Sequence, residues 1–508
     1  MHPTPYDCII VGGGAAGCVL AARLTEDPAV RVLLIEAGPD YGPDRETWPS
    51  EIHDPAMYWE GSHPWGYRNA ADPSGRRSHL PRGRVLGGSS AINGAVWLRG
   101  SGADYDHWAA LGNPGWAFDD LLPYFKRAEA DPMGGPLHGT DGPVPIWRVP
   151  DEQQTPIERA IFGVAEELGY ERVADLNGAI KQWPTVGKMP KNVADNRRIN
   201  VAFAYLEPAR ARPNLEIRAD TLIDRVIFEG ASAVGVRTTE GEELRGREVI
   251  LSAGAYASPA ILLRSGIGPA AQLAEQGIDL QIDLPGVGES LMDHPASKGV
   301  NTPYYITKDA LPPGLTFAQP LIKARSRQVE DEIDLHLYFI QYWDDDAGAW
   351  LLRVAPSLQY SRSKGRVRLT SADPEAPLDI DHRYFEDPLD LEALCDGVEL
   401  AEQMLTLPPL RDCTSGPVAE HPFRWRDRAE LRDFVRRRVG TSYHPCSTCK
   451  MGPAGDPSAV VDTAGRVHGL ANLRVIDASI FPYGPRCNLH FPTIAVAEKL
   501  ADTLRSGG

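Results

Sequence analysis

The chain has 508 residues, of which 42% are hydrophobic and 24% are charged, a balance that excludes a disordered or fibrous protein. Acidic residues outnumber basic ones by 69 to 52, and the formal net charge is -17. So acidic a protein argues against nucleic acid or an anionic membrane surface as the main partner. Length alone allows about three domain-sized units.

The seven cysteines are sparse and odd in number, which argues against a secreted scaffold built on disulfides. Only Cys446 and Cys449 have CxxC spacing, and without a second pair we expect them to pack near a buried site rather than to bind metal. The longest apolar stretch, 8–22, is too short to span a bilayer, and the residues before it lack the Lys or Arg of a signal peptide. We therefore expect a cytoplasmic protein with no membrane span.

The first forty residues predict a βαβ unit. Residues 6–11 have the pattern of a buried strand, residues 18–24 that of a helix, and residues 30–35 that of a second strand, which is followed by Glu36. The first turn, 12–17, reads G-x-G-x-x-G, which permits a tight turn, close approach to a pyrophosphate and close packing of helix on strand. Glu36 is placed to accept both hydroxyls of an unphosphorylated ribose. This unit predicts binding of FAD or NAD.

Further glycine-rich motifs follow in order along the chain. Residues 83–97 either offer N–H groups and hydroxyls to a polar ligand or form a capped helix after a flexible loop. Residues 254–269 follow a strand-like run at 248–253, and a last motif lies at 472–479. Together with the βαβ unit, these motifs resemble those of the glucose–methanol–choline (GMC) oxidoreductase family over nearly the whole chain.

The resemblance implies an α/β protein, α+β overall, in which a Rossmann-like FAD-binding domain is interleaved with a substrate domain built on a mostly antiparallel sheet. It also implies FAD as the cofactor. Some relatives attach the flavin through a His in the first loop, but the matching residue here is Ile92, so we expect non-covalent FAD. The residues that match the family's cofactor contacts are Gly12, Gly14, Ala15, Ala16, Gly17, Glu36, Ala37, Arg84, Gly87, Gly88, Ser89, Asn93, Gly94, Val96, Val226, Ala253, Asp477, Ala478, His490, Phe491, Pro492 and Thr493.

Two of the thirteen histidines, His444 and His490, are candidate catalytic residues. Taken alone, a solitary His before a loop-forming residue is more often a satisfied polar group, and we predict a helix over 493–504 with His490 just before its start. The resemblance implies that both lie beside flavin N5. Alcohol oxidation removes a proton and a hydride, and a neutral imidazole can take the proton. We expect His444 to be the base and His490 its hydrogen-bonding partner; the roles could be exchanged because close imidazoles titrate as a pair.

The segment before His490 departs from the commonest family pattern, which is Asn-rich and made of small residues. Here it contains Arg486 and Cys487. Arg486 could bind an anionic substrate group in a bidentate manner, but we expect it to pair with a surface acid. The departure leaves the substrate class open.

The scattered flavin motifs require a split domain. We place the FAD-binding domain at 1–150, 190–296 and 440–508, and the substrate domain at 151–189 and 297–439.

Strand-like runs at 332–340, 353–359 and 365–370 predict the antiparallel sheet of the substrate domain. Residues 302–328 predict a loop over the active site, and 344–348 an exposed turn. The candidates for cavity lining are aromatic, although ordinary packing would also account for each of them: Tyr338, Phe339, Trp343 and Phe481.

The function that we expect is FAD-dependent oxidation of an alcohol to an aldehyde or ketone, with proton removal by the His pair and hydride transfer to flavin N5. The substrate would be a small primary or aromatic alcohol, and the electron acceptor O2 or another carrier. The alternatives are a hydroxynitrile lyase-type FAD protein on the same fold, a non-catalytic flavin-binding protein, and an NAD-dependent dehydrogenase that uses only the N-terminal unit.

Overall fold

A computed structural model describes residues 6–55, 63–70, 77–297, 304–307, 320–417 and 425–507. None of the helices among these residues is both long enough and apolar enough to cross a membrane. The α-helices of these residues are α1 (Ala15–Leu24), α2 (Ser50–His53), α3 (Gly102–Ala110), α4 (Phe118–Ala128), α5 (Pro156–Glu167), α6 (Glu207–Ala209), α7 (Gly254–Arg264), α8 (Ala270–Glu275), α9 (Pro388–Thr406), α10 (Pro408–Arg411), α11 (Arg428–Arg438) and α12 (His490–Arg505).

Most of the strands are short. In the described residues they are β1 (Tyr6–Val11), β2 (Val32–Ile35), β3 (Glu129–Ala130), β4 (Val144–Pro145), β5 (Glu171–Val173), β6 (Thr185–Lys188), β7 (Val193–Ala194), β8 (Arg197–Arg198), β9 (Leu215–Arg218), β10 (Ile223–Glu229), β11 (Ser232–Thr238), β12 (Glu243–Leu251), β13 (Ile267–Gly268), β14 (Ile282–Asp283), β15 (Pro295–Ser297), β16 (Tyr304–Ile306), β17 (Pro320–Ala324), β18 (Leu335–Asp344), β19 (Ala349–Leu358), β20 (Arg366–Arg368), β21 (Asp379–Asp381), β22 (Thr414–Pro417), β23 (Val439–Thr441) and β24 (Leu473–Val475).

The first sheet carries the predicted βαβ unit. Its order is β10-β11-β12-β1-β2-β9, and β24 also pairs with β12. Strands β24, β12, β1, β2 and β9 are parallel, whereas β10 and β11 extend the sheet in antiparallel fashion. β1 has the predicted bounds, and β2 starts two residues later than predicted. Every strand of this sheet comes from the segments predicted for the FAD-binding domain, whose boundaries stay a prediction.

The second sheet is the mostly antiparallel one. Its order is β22-β16-β19-β18-β17-β6-β5, and β15 joins β19 to β23. Only the pairing of β5 with β6 is parallel. The runs predicted at 332–340 and 353–359 correspond to β18 and β19. Assigning 365–370 to this sheet was wrong: β20 pairs with β21, because Val367 packs into a separate cluster with Leu291 and Ile380.

Each sheet has its own core. α1 and α12 pack together beside the first sheet, and their apolar residues join one large buried cluster with β1, β2 and β12. α5 and α9 contribute to a second cluster with β17, β18 and β19. α5 begins at a capping box in which the Thr155 hydroxyl accepts from the Glu158 N–H while the Glu158 carboxylate accepts from the Thr155 N–H.

The connections of the second sheet agree only in part with the predicted loops. The turn between β18 and β19 lies where 344–348 predicts it, with Asp344 still the last residue of β18. The loop predicted over 302–328 contains β16 and β17. The prediction for residues 308–319 lies outside the described residues.

Candidate active site

The turn between β1 and α1 leaves bare backbone facing a large cavity. Gly12 has a φ of 106° in the left-handed region, and its N–H donates to the Ile35 carbonyl at 2.8 Å. A Cβ on Gly17 would lie 1.9 Å from the Gly12 carbonyl oxygen, so α1 can pack against this turn only with glycine there. A Cβ on Gly14 would meet nothing nearer than the Gly88 Cα at 4.0 Å. The open start of α1 therefore fits a pyrophosphate.

Glu36 lies directly after β2, beside the same turn. Its carboxylate accepts from the N–H of Gly13 at 2.8 Å and from the N–H of Gly38 at 2.9 Å. Burial raises the pKa of Glu36 to about 7, against the opposing effect of these hydrogen bonds. Ribose hydroxyls would supply further donors to this carboxylate, so the residues present fit the ribose and pyrophosphate of FAD.

The cavity has a volume of about 1070 Å³ and extends from the glycine turn to the second sheet. Pockets for drug-sized ligands measure roughly 300–1,000 Å³, so this one suits a dinucleotide. Most of the predicted site residues line this cavity. The two candidate histidines therefore border the same cavity as the predicted cofactor residues. The predicted residues in the wall are Gly12, Gly14, Ala15, Ala16, Glu36, Ala37, Arg84, Gly88, Ser89, Asn93, Gly94, Val96, Ala253, His444, Asp477, Ala478, His490 and Thr493.

Four other predicted cofactor residues lie behind this wall. Gly17 packs against the first turn, and the Gly87 N–H donates to the Gly13 carbonyl at 2.7 Å. Phe491 stacks on Trp97 with 4.2 Å between ring centroids, and Pro492 lies in the first turn of α12. These residues shape the cavity without facing it.

Val226 also lies outside the wall. Its backbone N–H donates to the Ser265 hydroxyl at 2.9 Å. Leu222 and Ile223, at the start of β10, line the cavity instead. A cofactor contact by Val226 stays a prediction.

His444 follows β23 and faces the cavity. Its Nε2 lies 3.1 Å from Nδ2 of Asn488, and its Nδ1 lies 2.9 Å from Nδ1 of His294. The His444 backbone N–H donates to Oδ1 of Asp293 at 2.9 Å. Burial first, and then the neighbouring His294 and Arg82, lower the pKa of His444 well below its usual range, so its ring is neutral at pH 7.

The surrounding hydrogen bonds assign the proton on this ring. Oδ1 of Asn488 accepts from the Tyr338 hydroxyl at 3.1 Å, so Nδ2 of Asn488 is the donor to Nε2 of His444. A neutral His444 that accepts at Nε2 carries its proton on Nδ1, and His294, which faces it through Nδ1, carries its own proton on Nε2. His444 Nδ1 then donates to His294 Nδ1. This arrangement makes Nε2 the acceptor nitrogen of His444, and its single lone pair is engaged by the Asn488 amide in this structure.

His490 is the first residue of α12, so the prediction that it precedes the helix is wrong. The helical pattern extends back because the Thr493 N–H donates to the Leu489 carbonyl at 3.0 Å. The imidazole packs edge-on against Trp97, with 5.4 Å between ring centroids. Burial lowers its pKa to about 4, and no residue in the described part of the chain hydrogen-bonds to its ring.

Of the four predicted aromatic residues, only Tyr338 lines the cavity. Phe339, on the opposite face of β18, is fully buried in the second core. Trp343 is 50% exposed, and Phe481 packs against Trp108 at 4.9 Å between ring centroids. Strand alternation accounts for the contrast between neighbouring residues 338 and 339.

Arg486 does not line the cavity. Its Nη1 lies 2.6 Å from Oδ1 of Asp104 and 3.2 Å from Oε2 of Glu332, and its guanidinium carbon lies 4.5 Å from the Tyr360 ring centroid. Pairing with acids is therefore confirmed, although Asp104 is buried rather than on the surface. Buried charges need such partners.

The CxxC cysteines are buried free thiols. Burial raises the pKa of Cys446 to about 12, and burial also raises the pKa of Cys449 well above its ordinary value. Both are therefore protonated and unreactive at neutral pH. The expected packing near a buried site is confirmed, since the backbone N–H of Cys446 donates to the Met292 carbonyl, close to His294.

Three site residues went unassigned in the sequence: Asp293, His294 and Asn488. The sequence signal for the first two is an acidic residue and a His directly before Pro295. Asn488 lies two residues before His490 in the recognised motif. Their roles depend on contacts between residues that lie more than 40 positions apart in the chain, and a single sequence does not show such contacts.

Comparison with known proteins adds independent findings. Two family models, both described as GMC oxidoreductase, match residues 6–296 and residues 361–497. The chain is 39% identical to oxygen-dependent choline dehydrogenase 1 of Chromohalobacter salexigens, with 98% of this chain and 95% of that protein covered. It is also 39% identical to an oxygen-dependent choline dehydrogenase of Burkholderia multivorans, with 99% and 94% covered.

Solved structures resemble the whole chain. Pyridoxine 4-oxidase from Mesorbium loti has a TM-score of 0.89 and 33% identity, and the match covers 99% of each chain. A formate oxidase variant from Aspergillus oryzae RIB40 has a TM-score of 0.87 and 27% identity, with 99% of this chain and 98% of that chain covered.

Proposed function

The chain belongs to the GMC oxidoreductase family of FAD-dependent enzymes that act on CH–OH donors, and from this premise we propose that it oxidises a small primary or aromatic alcohol to the aldehyde, with His444 as the base. The observation that carries the proposal is the hydrogen-bond chain from His294 through His444 to Asn488. It supports a neutral His444 with Nε2 as its basic nitrogen at the cavity wall, where a substrate hydroxyl reaches the lone pair by displacing the Asn488 amide.

The proton and the hydride leave the alcohol separately. The hydroxyl O–H bond breaks and its proton goes to Nε2 of His444, while the carbinol C–H bond breaks with its electron pair. The FAD, when bound, accepts that hydride at N5. The product is the aldehyde, and the proton remains on His444 until it is released to solvent.

His490 is the proposed hydrogen-bonding partner of the substrate hydroxyl. Its ring lines the same cavity, and no described residue occupies its nitrogens. Asn488 is bonded to both His444 and Tyr338, so we assign it to holding the base in place until a substrate hydroxyl replaces the Asn488 amide at Nε2. The exchange of roles between the histidines is less supported, because His490 lacks an orienting hydrogen bond among the described residues.

Cofactor attachment, acceptor and location are further parts of the proposal. The FAD would be held by the glycine turn, Glu36 and the Ser89–Asn93 region, and its attachment would be non-covalent because Ile92 offers no nucleophile. The electron acceptor is O2 or another carrier. A cytoplasmic location stays a prediction.

The test measures the absorbance of the bound flavin while a panel of alcohols is added under anaerobic conditions. Air is then admitted to each sample. We expect loss of the oxidised flavin absorbance in the wild type, and a rate at least about 100-fold lower in His444→Ala with FAD still bound. The matched control is His468→Gln, since His468 bonds to the Gly452 carbonyl outside the cavity.

The outcomes separate the alternatives. A flavin that no alcohol bleaches would favour a lyase or an inert flavin-binding protein. An unchanged reduction rate in His444→Ala would overturn the assignment of the base. Rapid return of the oxidised spectrum in air would identify O2 as an acceptor, and a slow return would point to another carrier.

A further inference from the structure

One wall of the cavity is a face of the second sheet. In the antiparallel pair of β18 and β19, Tyr338 lies opposite Ala355 and Ile340 lies opposite Arg353. Alternate residues of a strand point to the same face, and Ser357 continues this one. Arg353 is the only charged side chain on this face among the described lining residues.

Arg353 has no acidic partner among the described residues. Its Nη2 donates to the Tyr342 hydroxyl at 3.0 Å, and its guanidinium carbon lies 5.0 Å from that ring's centroid. Its Nε is buried without a hydrogen-bond partner in the described part of the chain. Arg486, in contrast, pairs with Asp104 and Glu332. A guanidinium that is partly withdrawn from water is stabilised by an anion, and none of the described residues supplies one to Arg353.

The carboxylates of the described cavity wall lie elsewhere. Glu36 and Asp477 are in the dinucleotide half, and Glu375 is in the turn between β20 and β21. A cationic alcohol such as choline would therefore meet Arg353 with like charge. The Tyr342 ring, which could hold a quaternary ammonium group by a cation–π contact, is already covered by the guanidinium.

We propose that the substrate is an alcohol bearing a carboxylate or similar anionic group, and that Arg353 binds this group. The inference rests on the proposed alcohol oxidation. Guanidinium and carboxylate form short, bidentate, charge-assisted hydrogen bonds. Such a contact would determine substrate choice, since neutral and cationic alcohols of the same shape could not make it.

The position of Arg353 also sets the substrate's shape. The Ser357 hydroxyl lies 2.5 Å from that of Ser442, two residues before His444. Arg353 lies four residues from Ser357 along β19, about 14 Å between Cα atoms at roughly 3.4 Å per residue. With Arg353 this far from the His444 end of the face, we expect the anionic group and the carbinol at opposite ends of an elongated molecule, such as a benzyl alcohol with a para carboxylate.

The first experiment measures anaerobic flavin reduction by 4-(hydroxymethyl)benzoate, 4-methylbenzyl alcohol and choline at one ionic strength. We expect the carboxylate to be preferred over the neutral alcohol by at least about tenfold in reduction rate over Kd, and choline to be the poorest. Arg353→Gln should remove that preference with little effect on the neutral alcohol, and Arg353→Lys should keep part of it. Arg245→Gln removes an exposed charge outside the cavity and should change nothing.

The second experiment measures binding without turnover, from the shift of the flavin absorbance on adding 4-methylbenzoate or its neutral isostere 4-methylbenzamide. Tighter binding of the benzoate that depends on Arg353 supports the anion site even if no alcohol reduces the flavin, in which case the proposed function alone fails. Equal binding of the two ligands to the wild type, or a preference for the carboxylate that persists in Arg353→Gln, would overturn the anion site and leave the proposed function standing.

Discussion

His294 and His444 face each other through their Nδ1 atoms, 2.9 Å apart, and only one of these nitrogens can carry the shared proton. Burial lowers the pKa of His294 to about 4, against the opposing effects of Asp293 and the bond to the Pro485 carbonyl. A neutral His294 can accept from His444 and so keep Nε2 of His444 unprotonated. His294 is therefore a positioning residue that acts through His444.

Replacement of His294 should slow flavin reduction without loss of FAD. In His294→Leu, which cannot accept a hydrogen bond, we expect the reduction rate to fall by about 10- to 100-fold, because the His444 tautomer is no longer defined. His294→Gln places an amide oxygen near the former Nδ1 and should recover most of that loss. Stopped-flow absorbance measures both rates. Equal rates in the two variants, at equal FAD content and melting temperature, would contradict the positioning role.

Several short elements around β3 are held together by a buried ion cluster. Nδ1 of His138 lies 2.9 Å from Oε1 of Glu129, its Nε2 lies 2.7 Å from Oδ2 of Asp175, and Nη1 of Arg148 lies 2.7 Å from Oδ1 of Asp131. Burial opposes the charge on His138, but hydrogen bonds to Asp131, Asp175 and Glu129 outweigh it and raise its pKa to about 11. The imidazolium is thus part of the folded structure at neutral pH.

The His138 contribution to stability should depend on pH. Its pKa in the folded chain, about 11, exceeds the ordinary value of about 6.5 in the unfolded chain. Its stabilisation is therefore complete below about pH 6.5 and is lost as the pH rises toward 11. We expect His138→Gln to lower the melting temperature at pH 6, with a deficit that shrinks by pH 10.

Calorimetry across this pH range, with His468→Gln as the control, measures the effect. A deficit in His138→Gln that is constant from pH 6 to pH 10 would contradict the charged state of His138. The cluster also touches the site, since Nε1 of Trp97 donates to Oε2 of Glu129 at 2.9 Å, and Trp97 packs on His490.

The whole molecule is organised around the cavity between its two sheets. The glycine turn and Glu36 border it from the first sheet, whereas Arg353 and Tyr338 border it from the second. A ligand that binds there contacts residues from distant parts of the chain and has no binding site in the unfolded state. Bound FAD should therefore stabilise the entire fold.

Two measurements on the whole protein test this expectation. Heat or acid denaturation should release the FAD into the supernatant, and flavin that stays with the precipitated chain would contradict non-covalent attachment. Added FAD should raise the melting temperature of the apoprotein, since ligand at 100 times its Kd contributes about 2.7 kcal/mol. Gly14→Val should abolish that response, while Gly163→Ala, remote from the cavity, should retain it.

The local elements of the nucleotide-binding part were predictable because their signals lie within short stretches. A short apolar run and the glycine spacing predict β1, α1 and the turn between them; β1 has the predicted bounds, whereas α1 begins at Ala15, three residues before the predicted start. The 365–370 run was misassigned because strand pairing depends on partners such as β21, which a local pattern does not identify. Helix α12 starts three residues earlier than predicted, because the carbonyl of Leu489 already accepts a helical hydrogen bond.

The sequence by itself determined the dinucleotide-binding turn, and the resemblance of its motifs implied the family, FAD and the two candidate histidines, because these residues lie in short local motifs. Only the tertiary structure decided that His294 orients His444, that Arg486 is neutralised by Asp104, and that Arg353 faces the cavity without an acidic partner among the described residues. Each of these depends on which side chains meet across long sequence separations, and therefore on how the two sheets pack around one cavity.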